Sequence, residues 1–262
     1  MNLYNIASSE EILEWIQSKG VTPLYLAVSG SHMWGLNRPD SDLDVRGIYL
    51  APTEQILSLD PGRDTIEALN VLGKDVDIQL YELGKALGMV RKYNGNLVEL
   101  LLAPTCFYNA NTVPWHELAI KFITKKLSHY YKGYAHSQRK RAAVNRGGRG
   151  LLYTYREIMA GIILMRTGYI IYDFITLKRT FEEMYKWRSH LLDSFLDRAE
   201  WRNPVSEERL NAFMVEWEKL EELLASEVEK SELPDGYDGY RVLNSILLRH
   251  RLSGAKSARS NI

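Results

Sequence analysis

Between residues 24 and 50 the chain runs from an apolar stretch through a Gly-Ser turn into an Asp-x-Asp pair, and this order limits what its first third can become. Leu24-Tyr25-Leu26-Ala27-Val28 follows Pro23 and stops at Ser29-Gly30-Ser31, the pattern of a short buried strand. A second strand is expected over residues 43–50, entered through Asp42-Leu43-Asp44. Side chains alternate along a strand, so Asp42 and Asp44 face the same way, about 6.6 Å apart along the backbone. Such a pair is either a solvated strand start or a set of ligands. As ligands, two carboxylates on one face can share two divalent ions, which lie about 3.5 to 4 Å apart in two-metal phosphoryl-transfer sites. Hard oxygen ligands suit Mg²⁺ or Mn²⁺ better than Zn²⁺. Gly30 lets backbone approach an anion closely, Ser31 offers a hydroxyl, and a helix starting there would aim amide groups at phosphate oxygens.

Upstream, Ser8 or Ser9 can cap a helix whose first turn holds Glu10 and Glu11 and whose apolar stripe is Ile12, Leu13 and Ile16, ending at Gly20. Downstream, residues 65–69 and 75–81 read as a hairpin around Gly73. Asp77 then sits mid-strand between Val76 and Ile78, where an unpaired charge is unfavourable and a partner is required. These four strands imply a small sheet. After Glu82 the spacing of Leu83, Leu87 and Val90 turns helical, with a second short helix over residues 97–102. The loop at residues 103–114, with Pro104 and Pro114, is the expected domain boundary. Helices are expected over residues 115–145, 150–167, 178–198, 206–230 and 239–251, and a disordered tail from Ser253. The expected class is α+β: a small mixed β-sheet domain over residues 1–110, then an all-helical domain over residues 111–262.

Lys and Arg number 33 and so do Asp and Glu, so net charge does not suggest a uniformly basic nucleic-acid binder. The charges are nonetheless segregated. Residues 118–156 hold Lys121, Lys125, Lys126, Lys132, Arg139, Lys140, Arg141, Arg146, Arg149 and Arg156 and no acid, whereas residues 181–238 are rich in acids. Lys132, Tyr134, His136, Arg139, Lys140, Arg141 and Arg156 are therefore candidate contacts to RNA or a triphosphate, although such a stretch also reads as a solvated face. Tyr130, Tyr131 and Tyr134 either stack on bases or belong to a core. His32 and His136 have no second His or Cys within four residues, so they read as hydrogen-bonded structural histidines and not as zinc ligands. Trp187, Trp201 and Trp217 are assigned to packing. The single cysteine, Cys106, cannot form an internal disulfide and reads as a small buried apolar residue. No apolar stretch approaches the roughly 20 residues that span a bilayer. Glu10, Glu11 and Glu14 do not fit a signal peptide, so a cytoplasmic protein without a membrane span is expected.

Gly30-Ser31, Asp42-Leu43-Asp44 and Asp77 stand in the order and at the spacing of the polymerase-beta nucleotidyltransferase superfamily, which the chain resembles. It is more closely similar to the branch that includes RNA-ligase-associated nucleotidyltransferases. That likeness lies at residues 30–35, at Ser41-Asp42-Leu43-Asp44-Val45-Arg46-Gly47, at residues 75–83 and at residues 96–101, and more loosely at residues 133–138 and 166–168. It covers roughly residues 22 to 172; where a histidine is expected just before Arg156, Tyr153 stands instead. The resemblance implies that Asp42 and Asp44 bind both metals and Asp77 the metal that activates the attacking hydroxyl. Gly30, Ser31, Ser41 and Arg46 are the nucleotide-binding candidates. Ser41 either caps a turn or touches the nucleotide, and Arg46 either holds a triphosphate or neutralises the carboxylates. The resemblance further implies transfer of NMP from an NTP such as ATP to an acceptor hydroxyl, an RNA end in an RNA-repair setting, with loss of pyrophosphate. The other readings are AMP placed on a protein or small molecule, and a silent nucleotide- or RNA-binding module.

Overall fold

The computed structural model describes residues 2–145, 147–197 and 204–258. The chain forms two compact units, Met1–Phe122 with Tyr237–Ile262, and Ile123–Gly236. In chain order the first unit holds strands β1 (Asn2–Leu3) and β2 (Ala7–Ser8), helix α1 (Ser9–Gln17), β3 (Thr22–Val28), α2 (Gly30–Met33), β4 (Leu43–Leu50) and α3 (Thr53–Ile56). It continues through β5 (Thr65–Ala68), β6 (Val76–Glu82), α4 (Leu83–Arg91), α5 (Gly95–Leu102), β7 (Cys106–Asn109) and α6 (Trp115–Ile120). The second unit holds α7 (Leu127–Asn145), α8 (Gly148–Thr167), α9 (Phe174–Tyr185), α10 (His190–Leu196) and α11 (Glu207–Lys230), and α12 (Tyr240–Ala258) belongs again to the first.

The α+β class is as expected. Helix α1 begins at a capping box: the Ser8 hydroxyl accepts from the Glu11 amide at 3.1 Å, and the Glu11 carboxylate accepts from the Ser8 amide at 2.8 Å. The Lys74 ammonium also donates to Glu11 at 2.7 Å, tying the helix to the turn before β6. Lys74 first, and the Ser8 amide second, hold the Glu11 carboxyl below its ordinary range.

A mixed sheet of order β5-β6-β4-β3-β7 carries the unit. Strands β4 and β6 are parallel, and the other pairs are antiparallel. Along β6, Val76, Ile78 and Leu80 are buried while Asp77, Gln79 and Tyr81 are partly exposed. The buried set joins Leu26, Val28, Leu43 and Val45 against Ile12 and Ile16 of α1. One strand thus serves core and polar surface with alternate residues. On β3, the Tyr25 hydroxyl donates to the Leu100 carbonyl at 2.9 Å, and its ring meets Trp115 edge-on at 6.4 Å.

Three departures from expectation have local causes. The loop at residues 103–114 contains β7, a fifth strand, fastened where the Thr105 hydroxyl donates to the Val28 carbonyl at 2.6 Å. Cys106, on that strand at the sheet edge, is accordingly half-buried. The units divide after Phe122 and not at residue 110, because Trp115 packs on Tyr25, and Phe122 on Tyr93 and Tyr237 at 5.7 and 5.2 Å. Third, the last helix returns to the sheet unit. Arg251 on α12 pairs with the buried carboxylate of Glu82 at the end of β6 and donates to the Ala51 carbonyl at 2.9 Å. That helix runs through Ala258 where a tail from Ser253 is expected, and residues 259–262 lie outside those described.

In the second unit α8 is buried on every face, the mark of a central helix. Gly161 admits Tyr131 of α7, since a Cβ there would stand 2.7 Å from the Tyr131 Cβ. The expected helix over residues 115–145 is broken into α6 and α7, and that over 178–198 is α9 and α10, parted where Lys186 turns left-handed at φ 52°. Trp217 is buried and Trp187 packs on Phe181 at 5.4 Å, while Trp201 lies outside the described residues. No helix among the described residues is long and apolar enough to cross a membrane.

Replacing Arg251 by Ala leaves Glu82 buried without its cation, a loss of about 3 kcal/mol. The urea midpoint of the sheet unit should fall accordingly, with Arg251→Lys recovering part of the loss.

Candidate functional site

Parallel pairing sets Asp44 of β4 opposite Asp77 of β6. Asp42, just before β4, comes to the same side, and one carboxylate oxygen from each of the three lies within 4.8 Å of the others. The sequence-predicted acids are therefore brought together, on and beside two interior strands of the sheet. The Asn70 amide donates to Asp77 Oδ1 at 3.0 Å, from a residue with left-handed backbone at φ 51°. The turn before β6 thereby fixes one oxygen of the third acid.

Gly30 is held by steric necessity. Its φ is +64°, and a Cβ on it would lie 2.1 Å from Asp44 Oδ2, so the Gly-Ser turn presses its backbone against this carboxylate. The Ser29 amide donates to the Asp44 carbonyl at 2.8 Å and anchors the turn to β4. Ser29 and Ser31 are buried, and neither hydroxyl meets a hydrogen-bond partner among the described residues. Buried polar atoms are nearly always paired, so two beside one turn mark a place where a polar ligand would complete them. Helix α2 is only four residues long, which leaves these hydroxyls as the stronger part of the expected phosphate cradle.

The remaining candidates divide. The Ser41 hydroxyl accepts from the Arg38 amide at 2.8 Å, and the Ser41 amide donates to the Arg38 carbonyl, so Ser41 closes the turn that delivers Asp42. Arg46 lines a cavity of about 470 Å³ with Asp44, Asp77, Glu67, Leu69 and Gln79. His32 is buried but, against expectation, neither ring nitrogen meets a hydrogen-bond partner among the described residues; the ring lies 4.3 Å from that of Tyr4, in the turn between β1 and β2. Ser29, Glu67 and Gln79 are absent from the expected site. Gln79 was in principle legible, being two residues beyond Asp77 on one strand and so on its face.

In the second unit the basic stretch is less available than its composition suggests. Arg156 is wholly buried on α8 and pairs with Glu157 at 2.5 Å, so it presents no surface to RNA, a correction to its expected role. Lys132 pairs with Glu221 at 3.0 Å. Arg139 lies over the Trp217 ring at 5.2 Å and meets His136 Nδ1 at 3.2 Å. Tyr134 stacks on Tyr130 at 5.8 Å, whereas Lys140 and Arg141 are exposed. Arg146 lies outside the described residues.

Residues 5–249 match the family described as the RNA repair pathway DNA polymerase beta family. The chain belongs to that family. That family is of the polymerase-beta type, a class that generally uses divalent metals, and Asp42, Asp44 and Asp77 are a donor set that could hold one. An uncharacterized protein of Methanocaldococcus jannaschii is 30% identical over 165 residues, 60% of this chain and 65% of that one. An uncharacterized protein of Bacillus subtilis is 38% identical over 103 residues, 39% of each chain. The chain thus spans less than two thirds of the length of these curated relatives.

If the unpartnered Ser31 hydroxyl awaits a ligand, Ser31→Ala relieves a buried unsatisfied group and raises stability by about 1 kcal/mol, while ATP affinity falls. Thermal melts without and with ATP check both signs.

Proposed function

We propose that the chain transfers a nucleoside monophosphate from an NTP to the hydroxyl of an RNA end, releasing pyrophosphate, with Mg²⁺ or Mn²⁺ held by Asp42, Asp44 and Asp77. The observation that carries this reading is the approach of three carboxylate oxygens to within 4.8 Å. The buried hydroxyls of Ser29 and Ser31 beside the same turn support it as a phosphate seat. Three carboxylates so close repel one another, which favours a cation among them, and oxygen donors suit a hard divalent ion. When bound, such an ion supplies charge neutralisation on the phosphates and lowers the pKa of the attacking hydroxyl.

The chain's own residues do the rest. Ser29 and Ser31 donate to phosphate oxygens, and Gly30, without a side chain, keeps that seat against Asp44. Asn70 fixes Asp77 so that its carboxylate faces the incoming hydroxyl and receives the proton that departs. The acceptor oxygen bonds to the α-phosphorus, the bond from that phosphorus to the bridging oxygen breaks in line, and pyrophosphate leaves. Arg46 lines the cavity beside the same acids and offsets negative charge there.

Membership of an RNA repair family supports an RNA acceptor. Lys140 and Arg141, exposed on α7, are the best remaining candidates for contacts to its backbone, which Lys and Arg read without regard to sequence. One observation favours a second reading, transfer of AMP to a protein: Lys132, Arg139 and Arg156 are engaged within their own unit.

The test is incubation with Mg²⁺ and each α-labelled NTP, offering RNA, DNA, a protein extract or no acceptor. Label should enter RNA and vanish in Asp42→Asn with Asp44→Asn. Label surviving that change contradicts the site, and label only in protein selects the second reading.

A further inference from the structure

Beside the three carboxylates the polar face of the sheet continues into the cavity of about 470 Å³ bounded by Arg46, Glu67, Leu69 and Gln79. Its position follows from the strand order. The Ser29–Ser31 turn leaves β3, on one flank of β4, whereas Glu67 and Gln79 stand on β5 and β6, on the other. Asp44 and Asp77 lie between. In-line displacement requires the attacking and leaving oxygens on opposite sides of the phosphorus. If the phosphates occupy the serine side, the acceptor approaches from the cavity side.

The groups in that cavity are held in definite orientations. The Tyr81 hydroxyl donates to Gln79 Oε1 at 2.7 Å, and Gln79 Nε2 donates to Glu67 Oε1 at 2.6 Å. With its oxygen engaged by Tyr81, the Gln79 amide is fixed with nitrogen toward Glu67, leaving its second N–H to donate; Glu67 keeps a second oxygen to accept. A donor beside an acceptor complements a hydroxyl, which both accepts and donates. Leu69, 74% exposed on the rim, offers an apolar surface to the ribose or base that carries it. The cross-strand register places Glu67 opposite Gln79, and Gln79 opposite Arg46, one polar row away from Asp44 and Asp77. The two rows lie about 6.6 Å apart along the strands, a gap that the long Gln79 and Glu67 side chains lean across to reach a hydroxyl adjoining one held at the carboxylates.

We propose that Gln79 and Glu67 read the 2′-hydroxyl of the acceptor's terminal ribose while its 3′-hydroxyl lies at Asp77, making the site selective for RNA 3′ ends. This rests on the nucleotidyl-transfer reading above. Gln79 N–H donates to the 2′-oxygen, and the 2′-hydroxyl donates to Glu67; a deoxyribose end forfeits both bonds, the one distinction between RNA and DNA available at a sugar.

The experiment compares two acceptors of identical sequence, one all-ribose and one with a single terminal 2′-deoxynucleotide, for transfer from α-labelled ATP with Mg²⁺. Wild type should prefer the ribose end about 10- to 100-fold, the worth of hydrogen bonds to a charged or oriented partner. In Glu67→Ala and in Gln79→Leu the ratio should fall toward one, chiefly by loss on the ribose end. Glu67 is exposed at the surface, so at least its variant folds, as circular dichroism verifies. Equal use of both ends by the wild type, or an unchanged ratio in the variants, overturns the inference while leaving nucleotidyl transfer standing. Failure of the wild type to label either end overturns both.

Discussion

The parallel register between β4 and β6 is the constraint on which the three-carboxylate cluster depends. It sets Asp44 against Asp77 and, with the same periodicity, packs Val45 and Ile78 into the core under α1. A slip of one residue would exchange Asp77, Gln79 and Tyr81 with Val76, Ile78 and Leu80, placing a carboxylate in the core and aliphatic groups at the site. Core and site therefore stabilise one register jointly. The Lys74–Glu11 bridge and the Asn70–Asp77 hydrogen bond both act at the turn that launches β6, where the register is first set.

Gly30 shows the same coupling at a single residue. A backbone that must come within contact of Asp44 and adopt positive φ admits no side chain, and what the close approach creates is a carboxylate adjoining two buried hydroxyls. Leaving such hydroxyls unsatisfied costs stability. A sequence selected for stability alone would carry alanine at Ser29 or Ser31. In the reading proposed above the cost is offset when a phosphate binds.

The acids were legible because their signal is local: Asp42 and Asp44 share a face by alternation, and Asp77 interrupts an apolar strand. The α1 cap and the 43–50 strand were legible for similar reasons. What escaped depends on contacts distant in sequence. Strand β7 is four residues in a proline-bounded loop, and only its pairing with β3 makes it a strand. Helix α12 looked like one more member of the helical domain until Arg251 met Glu82, 169 residues away. Arg156 looked like part of a basic face because charge says nothing of burial; α8, apolar on nearly every side, is central, and a charge upon it turns inward. Gln79 and Glu67 acquire meaning only once Asp77 is known to be their neighbour on an open face.

Direct titration with Mn²⁺, followed by the electron paramagnetic resonance signal of the free ion, tests the central claim without assuming any acceptor. The three-carboxylate account requires that wild-type protein with ATP deplete free Mn²⁺ beyond what ATP alone removes, and that Asp44→Asn and Asp77→Asn each abolish most of this excess while retaining the wild-type circular dichroism spectrum. Equal depletion by wild type and both variants would place the ion elsewhere and contradict the account.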